Sequence, residues 1–327
     1  MADLSTSYMG LKLDNPVIVS SSSLTSTIDG VKRCEDAGAG AVVLKSLFEE
    51  QIASDTDRMI GSMDYNAYTD AYDLFSSSGS DFYLNEYISL VEKAKSSVSI
   101  PVIPSINCVS SRNWVDYAQR FVNVGADALE LNVFILPSNP DTSGPVIEEA
   151  YFDILEDVKA HINIPVALKI GYHFSGMANF IRKLGTQGAE GIVLFNRFYR
   201  IDIDTKNLKI KPAGFISNPV EMALSLHWIA LLAGEVSSDL SAATGIHDGN
   251  SIVKQLLAGA STVQLCSVLL NEGLDTIKDM KQYLERWMRE NNFSTIADFK
   301  GLLSQKSSDH PESYERSQYI KALVGIS

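Results

Sequence analysis

Gly125-Ala126-Asp127-Ala128-Leu129-Glu130-Leu131-Asn132 is one of four copies of a phrase that organises the whole chain. Gly38-Ala39, Gly188-Ala189 and Gly259-Ala260 open the others, and each leads within a few residues into an apolar run. A glycine after a helical stretch supplies the left-handed cap that ends it, and the run that follows is too short for anything but a buried strand. A polar group or a thiol stands seven or eight residues past each glycine: Lys45 and Ser46, Asn132, Asn196, and Cys266 with Ser267. The phrase reads as helix, stop, strand and functional tip.

Three further strands open on proline, at Asn15-Pro16-Val17, Ile100-Pro101-Val102 and Ile164-Pro165-Val166. Proline at a first strand position removes no ladder hydrogen bond. With residues 240–245 added, strands are predicted over 17–20, 41–46, 102–107, 128–132, 166–171, 191–196, 240–245 and 262–266. Helical patterns alternate with them over 28–37, 84–97, 112–123, 147–161, 176–186, 219–233, 249–258 and 274–290. Runs such as Val166-Ala167-Leu168-Lys169-Ile170 are mostly apolar rather than alternating, the mark of a parallel sheet covered by helices. Eight such units predict an α/β fold, a (β/α)8 TIM barrel with long loops at its C-terminal face, for which about 250 residues is typical. The alternation runs without a linker, so one domain is expected over 1–327. Active sites of this fold lie at the C-terminal strand ends, where the polar tips would converge.

A net charge of −13 disfavours nucleic acid and anionic membranes as partners. No basic leader with an apolar stretch opens the chain, and no window approaches the ~18 apolar residues of a membrane span. A cytoplasmic, soluble protein is expected. Cys34, Cys108 and Cys266 are too few and too irregularly spaced for a disulfide framework or a zinc site, and no metal is expected. Residues 47–83, rich in Ser, Asp and Tyr, read as a lid-like insertion after the second strand, carrying Tyr65, Tyr68, Tyr72, Phe75 and Phe82. Loops 133–146 and 197–218 leave from the same face, the latter with a hairpin turn at Thr205-Lys206-Asn207.

Lys45 and Lys169 interrupt apolar strands near their ends, and burying an ammonium without partners is expensive. Each meets either a ligand or a structural carboxylate such as Glu130, and the strand-tip position favours the ligand. Asn107, Asn132 and Asn196 end three strands, and a ring of amides suits a planar heterocycle whose edge alternates N–H and C=O. Thr244-Gly245-Ile246-His247-Asp248-Gly249 and Cys266-Ser267 follow the last two strands, where barrels often bind phosphate. His173 and His247 read as acid-base groups or merely solvated ones, Cys108 as a nucleophile without a base beside it or a small buried residue, and Trp114, Trp228 and Trp287 as packing.

Over residues 8 to 303 the chain resembles the dihydroorotate dehydrogenase family, FMN-dependent (β/α)8 barrels, and its cytosolic class in particular. The resemblance is carried by Gly10-Leu11-Lys12-Leu13, Ala41-Val42-Val43-Leu44-Lys45-Ser46, the Gly125–Asn132 phrase, Gly259-Ala260-Ser261-Thr262-Val263-Gln264-Leu265-Cys266, and Ile296-Ala297-Asp298-Phe299-Lys300-Gly301. It implies that Ser20, Ser21, Lys45, Ser46, Asn107, Asn132 and Lys169 line the flavin ring, with Lys169 near N1. It implies also that Gly245, Cys266 and Ser267 hold the FMN phosphate, and that Asn132, Asn139 and Asn196 bind substrate. The implied reaction is oxidation of dihydroorotate to orotate in pyrimidine biosynthesis, with hydride transfer to flavin N5 and a soluble acceptor such as fumarate. The absence of a long apolar segment before residue 8 disfavours the quinone-linked class. A homodimer is also implied, and the apolar helix 223–233 suits such an interface or core packing equally well.

Two stretches depart from the family pattern. After Asn132 the family carries a cysteine in Leu-Ser-Cys-Pro-Asn, whereas this chain reads Val133-Phe134-Ile135-Leu136-Pro137-Ser138-Asn139, which leaves Ser138 as the nearest general base beside Lys45. Where the family lid reads Asn-Ser-Met-Gly-Leu-Pro-Asn, this chain has Ala71-Tyr72-Asp73-Leu74-Phe75-Ser76-Ser77. These changes keep three alternatives open: another cyclic amide or an enone as substrate, a flavin-free phosphate-binding lyase or aldolase using Lys45 or Lys169 as a Schiff-base nucleophile, and a catalytically silent flavoprotein subunit.

Overall fold

The computed structural model describes residues 2–50, 52, 69–197, 201–214 and 216–315, with backbone alone for 69–81 and Ser111. The strands are β1 (Thr6–Tyr8), β2 (Leu11–Leu13), β3 (Val17–Val19), β4 (Ala41–Val43), β5 (Leu47–Phe48), β6 (Val102–Ile103) and β7 (Ser105–Asn107). They continue with β8 (Leu129–Asn132), β9 (Val166–Ile170), β10 (Gly191–Leu194), β11 (Ile201–Asp204), β12 (Lys209–Pro212), β13 (Asp239–Ala243) and β14 (Thr262–Leu265). The helices are α1 (Ile28–Asp36), α2 (Thr69–Ser97), α3 (Ser111–Asn123), α4 (Gly144–His161), α5 (Met177–Thr186), α6 (Met222–Leu232), α7 (Gly249–Ala258), α8 (Ser267–Glu272) and α9 (Thr276–Glu290).

Ten of these strand segments make one parallel sheet that closes on itself. Segments β4 and β5 belong to one strand position, and β6 and β7 to the next, which Pro104 divides. β3 pairs with β4, β4 with β6 and β5 with β7. The ring continues from β7 through β8, β9, β10, β13 and β14, which returns to β3. Eight strand positions with helices outside are the (β/α)8 barrel that the sequence predicts. The glycines of the repeated phrase all take positive φ, 89° at Gly38, 86° at Gly125, 102° at Gly188 and 119° at Gly259, as left-handed helix stops require.

Alternate strand residues point into the barrel, because side chains change face at every residue. The lower inward layer is apolar: Ile18, Val43, Ile103, Ala128, Ala167, Val193 and Ala243 pack together. The antiparallel hairpin β1–β2, which the sequence reading did not include, closes this end by packing Tyr8, Met9 and Leu13 onto that layer. One step further along, the inward residues are Ser20, Ser105, Glu130 and Lys169, joined by Gln264 of β14, all buried. A polar layer inside the barrel therefore sits between the apolar plug and the mouth.

The predicted single loop over 47–83 is corrected at both ends. Leu47 and Phe48 pair with Ile106 and Asn107, and Thr69 begins a helix of 29 residues that buries Leu84, Tyr87, Val91 and Ala94. Ser76-Ser77-Ser78-Gly79-Ser80 are weak helix formers without an apolar stripe, so propensity pointed away from the helix that forms. Tyr65 and Tyr68 lie outside the described residues. The hairpin predicted at Thr205-Lys206-Asn207 is present as β11–β12. In α6, proposed as a dimer face, Met222, Ile229, Ala230 and Leu232 are buried within the chain itself.

Tyr8 is 1% exposed against the inner ends of the strands. Tyr8→Ala is expected to cost about 3–5 kcal/mol, read as a lower midpoint in urea unfolding with unchanged slope.

Candidate active site

The polar layer is bonded continuously. Lys169 Nζ donates to Ser20 Oγ at 3.0 Å and to Gln264 Oε1 at 3.3 Å, and lies 4.0 Å from Glu130 Oε1. Gln264 turns its amide nitrogen to Glu130 Oε2 at 2.8 Å, and Ser105 Oγ donates to Glu130 Oε1 at 3.4 Å. Glu130 is 1% exposed, so Lys169 and Gln264 supply the compensation that a buried carboxylate demands. The structural-pair and ligand alternatives for Lys169 are thus not exclusive, since it faces both Glu130 and a cavity.

The network climbs to the mouth through hydroxyls and amides. Ser105 Oγ meets Ser46 Oγ at 2.7 Å, and Ser46 meets Ser21 Oγ at 3.1 Å. Asn132 Nδ2 donates to Ser46 Oγ at 3.3 Å and Asn196 Nδ2 to Asn132 Oδ1 at 2.6 Å. Residues from five strand ends are therefore fixed relative to one another before any ligand arrives. Such mutual support holds planar amides at defined angles.

Two cavities flank this ladder. One of about 200 Å³ is lined by Ser20, Ser21, Lys169, Asn196, Gly245, Cys266 and Ser267, all anticipated, together with Phe195, Arg197, Ser217, Thr244 and Gln264. The other, of about 340 Å³, is lined by Lys45 and Ser46 with Tyr83, Glu86 and Tyr87 of α2. Ser21 and Ser46 are bonded across the boundary. Asn107 is buried at the end of β7, opposite Phe48. Ser138 and Asn139 are exposed on the loop after β8 and line neither cavity; the Asn139 side chain accepts from the Asp141 N–H at 3.0 Å.

The first cavity bears the cations Lys169 and Arg197 on its wall, each paired with a carboxylate, Glu130 at 4.0 Å and Glu221 at 3.2 Å. Its backbone is specialised at Thr244 and Gly245, with φ of 72° and 78°. A Cβ on Gly245 would stand 2.2 Å from the backbone nitrogen of Met222, so only glycine permits this approach. The Gly245 N–H donates to Ser217 Oγ at 3.3 Å, and the Ser217 N–H to Ser267 Oγ at 2.9 Å. Burial raises the Cys266 thiol pKa, against the opposing pull of Lys169 and a bond with Ser22. Burial, with Glu49 and Glu50 nearby, pushes Cys108 far up, which removes it as a thiolate nucleophile.

Gln264 could have been found from sequence by the signal that found Lys169, a polar residue interrupting an apolar strand. Arg197 and Ser217 stand in an irregular excursion where no periodicity marks them. Among the described residues no group of three or more His, Cys, Asp or Glu is arranged to hold a metal, and no helix is long and apolar enough to cross a membrane.

Fold and site define an α/β barrel with a polar, hydrogen-bonded mouth. The sequence model of dihydroorotate dehydrogenase matches residues 3–288, and the chain belongs to that family, whose members are flavin-dependent oxidoreductases. It is 27% identical over 311 residues to the catalytic subunit of dihydroorotate dehydrogenase B (NAD(+)) of Thermoplasma acidophilum, covering 92% of this chain and 99% of that protein. It is 25% identical over 344 residues to the chloroplastic dihydropyrimidine dehydrogenase (NADP(+)) of Arabidopsis thaliana, covering 97% of this chain and 80% of that protein.

Lys169→Met leaves Glu130 buried beside an apolar side chain and is expected to destabilise the fold by about 3 kcal/mol. Adding Glu130→Gln should recover part of that loss, and chemical denaturation of the single and double variants measures both.

Proposed function

We propose that the protein is an FMN-dependent oxidoreductase that withdraws hydride from a reduced pyrimidine ring, with dihydroorotate to orotate as the leading reaction and a soluble electron acceptor. The observation that carries the reading is the cavity wall that brings together Lys169, four serine hydroxyls and the Gly245 loop, with no carboxylate among its lining residues. That donor set fits a phosphate monoester joined to a polar heterocycle. When bound, FMN supplies a hydride acceptor at N5 and a store for two electrons. Ser20, Ser21, Lys45, Ser46, Asn107, Asn132 and Lys169 would hold its ring, and Gly245, Cys266 and Ser267 its phosphate.

The chain's own residues have separable tasks in this reading. Lys169 supplies positive charge that favours a reduced, anionic ring, and Glu130 with Gln264 keeps its ammonium in place. Asn132 and Asn196, tied to each other at 2.6 Å, orient the amide edge of the substrate. Lys45 stands beside Ser46 at the second cavity, where it would meet an anionic substituent of the substrate. Ser138 takes the proton from the substrate carbon, which requires the loop after β8 to turn it inward. A lysine engaged by Ser20, Gln264 and Glu130 serves as fixed charge more readily than as a Schiff-base nucleophile.

The exposed position of Ser138 favours a second reading, in which FMN is kept and the substrate is another cyclic amide, such as a neutral dihydropyrimidine. An anaerobic absorbance titration separates the two. Dihydroorotate is expected to bleach the flavin bands between about 350 and 500 nm. Bleaching by dihydrouracil alone supports the second reading, and a protein that binds no FMN overturns both. Ser138→Ala is expected to slow reduction by on the order of 10², measured by stopped-flow; an unchanged rate removes Ser138 from the proton transfer.

A further inference from the structure

Gly214 and residues 216–221 lie between the exposed β11–β12 hairpin and α6 and contribute Ser217 to the cavity wall. Arg197, the residue after Asn196, holds this segment at both ends. Its Nη1 donates to the carbonyl oxygen of Gly214 at 3.0 Å, and its Nε to Glu221 Oε1 at 3.2 Å. The second oxygen of Glu221 accepts the Asn218 N–H at 2.7 Å, which carries the tie back into the segment.

Between these anchors Ser217 is buried, at 6% exposure, and reaches three neighbours. Its N–H donates to Ser267 Oγ at 2.9 Å, its Oγ accepts from the Gly245 N–H at 3.3 Å, and the same Oγ lies 3.1 Å from His247 Nε2. Among the described residues of the segment the only regular structure is a single 3-10 turn, Pro219–Glu221, capped by Asn218, so the part before that turn must be ordered against backbone entropy of roughly 1–2 kcal/mol per residue. A planar guanidinium can meet two acceptors in different directions at once, which an ammonium on a flexible stem does poorly.

We propose that Arg197 is a positioning residue for the phosphate end of the cofactor: by holding Gly214 and Glu221 it presents the Ser217 hydroxyl beside Gly245 and Ser267, where a phosphate monoester is received. The inference rests on the FMN reading above. Arg197 acts through Ser217, so its contribution belongs to the phosphate and not to the ring.

The test is fluorescence titration of the flavin-stripped full chain with FMN and, separately, with riboflavin, which lacks the phosphate. Arg197→Gln and Ser217→Ala should each weaken FMN binding by roughly tenfold or more while leaving riboflavin affinity unchanged. The double variant should be no weaker than the weaker single variant, because both remove one contact. Arg197→Lys should fall between wild type and Arg197→Gln. Unchanged FMN affinity in Arg197→Gln, equal losses for FMN and riboflavin, or losses that multiply in the double variant would each overturn the proposal. A wild-type protein that binds riboflavin and FMN equally overturns the phosphate assignment itself, and one that binds neither fails the FMN reading first.

Discussion

Everything at the mouth of this barrel depends on the buried charge pair of Lys169 and Glu130. Neither side chain can be left alone at that depth, since the effective penalty for an unpaired buried ion is several kcal/mol. Gln264 resolves the problem by offering its amide oxygen to Lys169 and its amide nitrogen to Glu130, so one neutral side chain serves both charges. Ser20 and Ser105 bring further bonds to the lysine and the carboxylate. The result is a rigid polar layer above an apolar floor, with the ammonium reaching the cavity wall.

The two layers follow from one rule, the alternation of side chains along parallel strands. Ala128 and Glu130, Ala167 and Lys169, and Ile18 and Ser20 are successive inward positions of the same strands. Apolar contact among the lower members, sealed by Tyr8, Met9 and Leu13, fixes the register that places the upper members together. From there the hydroxyl and amide ladder transmits position outward to Asn132 and Asn196. The two cations at this cavity, each paired with a carboxylate, are a local arrangement of the fold and not a property of composition.

Much of this was legible in the sequence because caps and strands have local causes. The four glycine stops, the eight strand positions and the placement of Lys45, Ser46, Asn107, Asn132, Lys169 and Asn196 at one barrel end follow from short-range patterns. The β1–β2 hairpin escaped notice because strands of three residues show no periodicity, and its turn places Met9 at a φ of 55°, which favours glycine or asparagine. The second half of helix α2 was legible at 84–97, whereas its first half escaped because the stretch 76–80 is a run of weak helix formers. Arg197 and Ser217 are meaningful only through contacts between distant segments, which no window of sequence contains. Ser138 and Asn139 were chosen by likeness to a family loop, and the structure places both on the exposed side of that loop.

The most direct test of the account is a crystal structure of the protein grown with FMN. The account predicts the phosphate against Gly245, Ser217 and Ser267, and the ring extending past Lys169 toward Asn132 and Ser46. A flavin seated away from Lys169, or a phosphate bound at another strand pair, would contradict it.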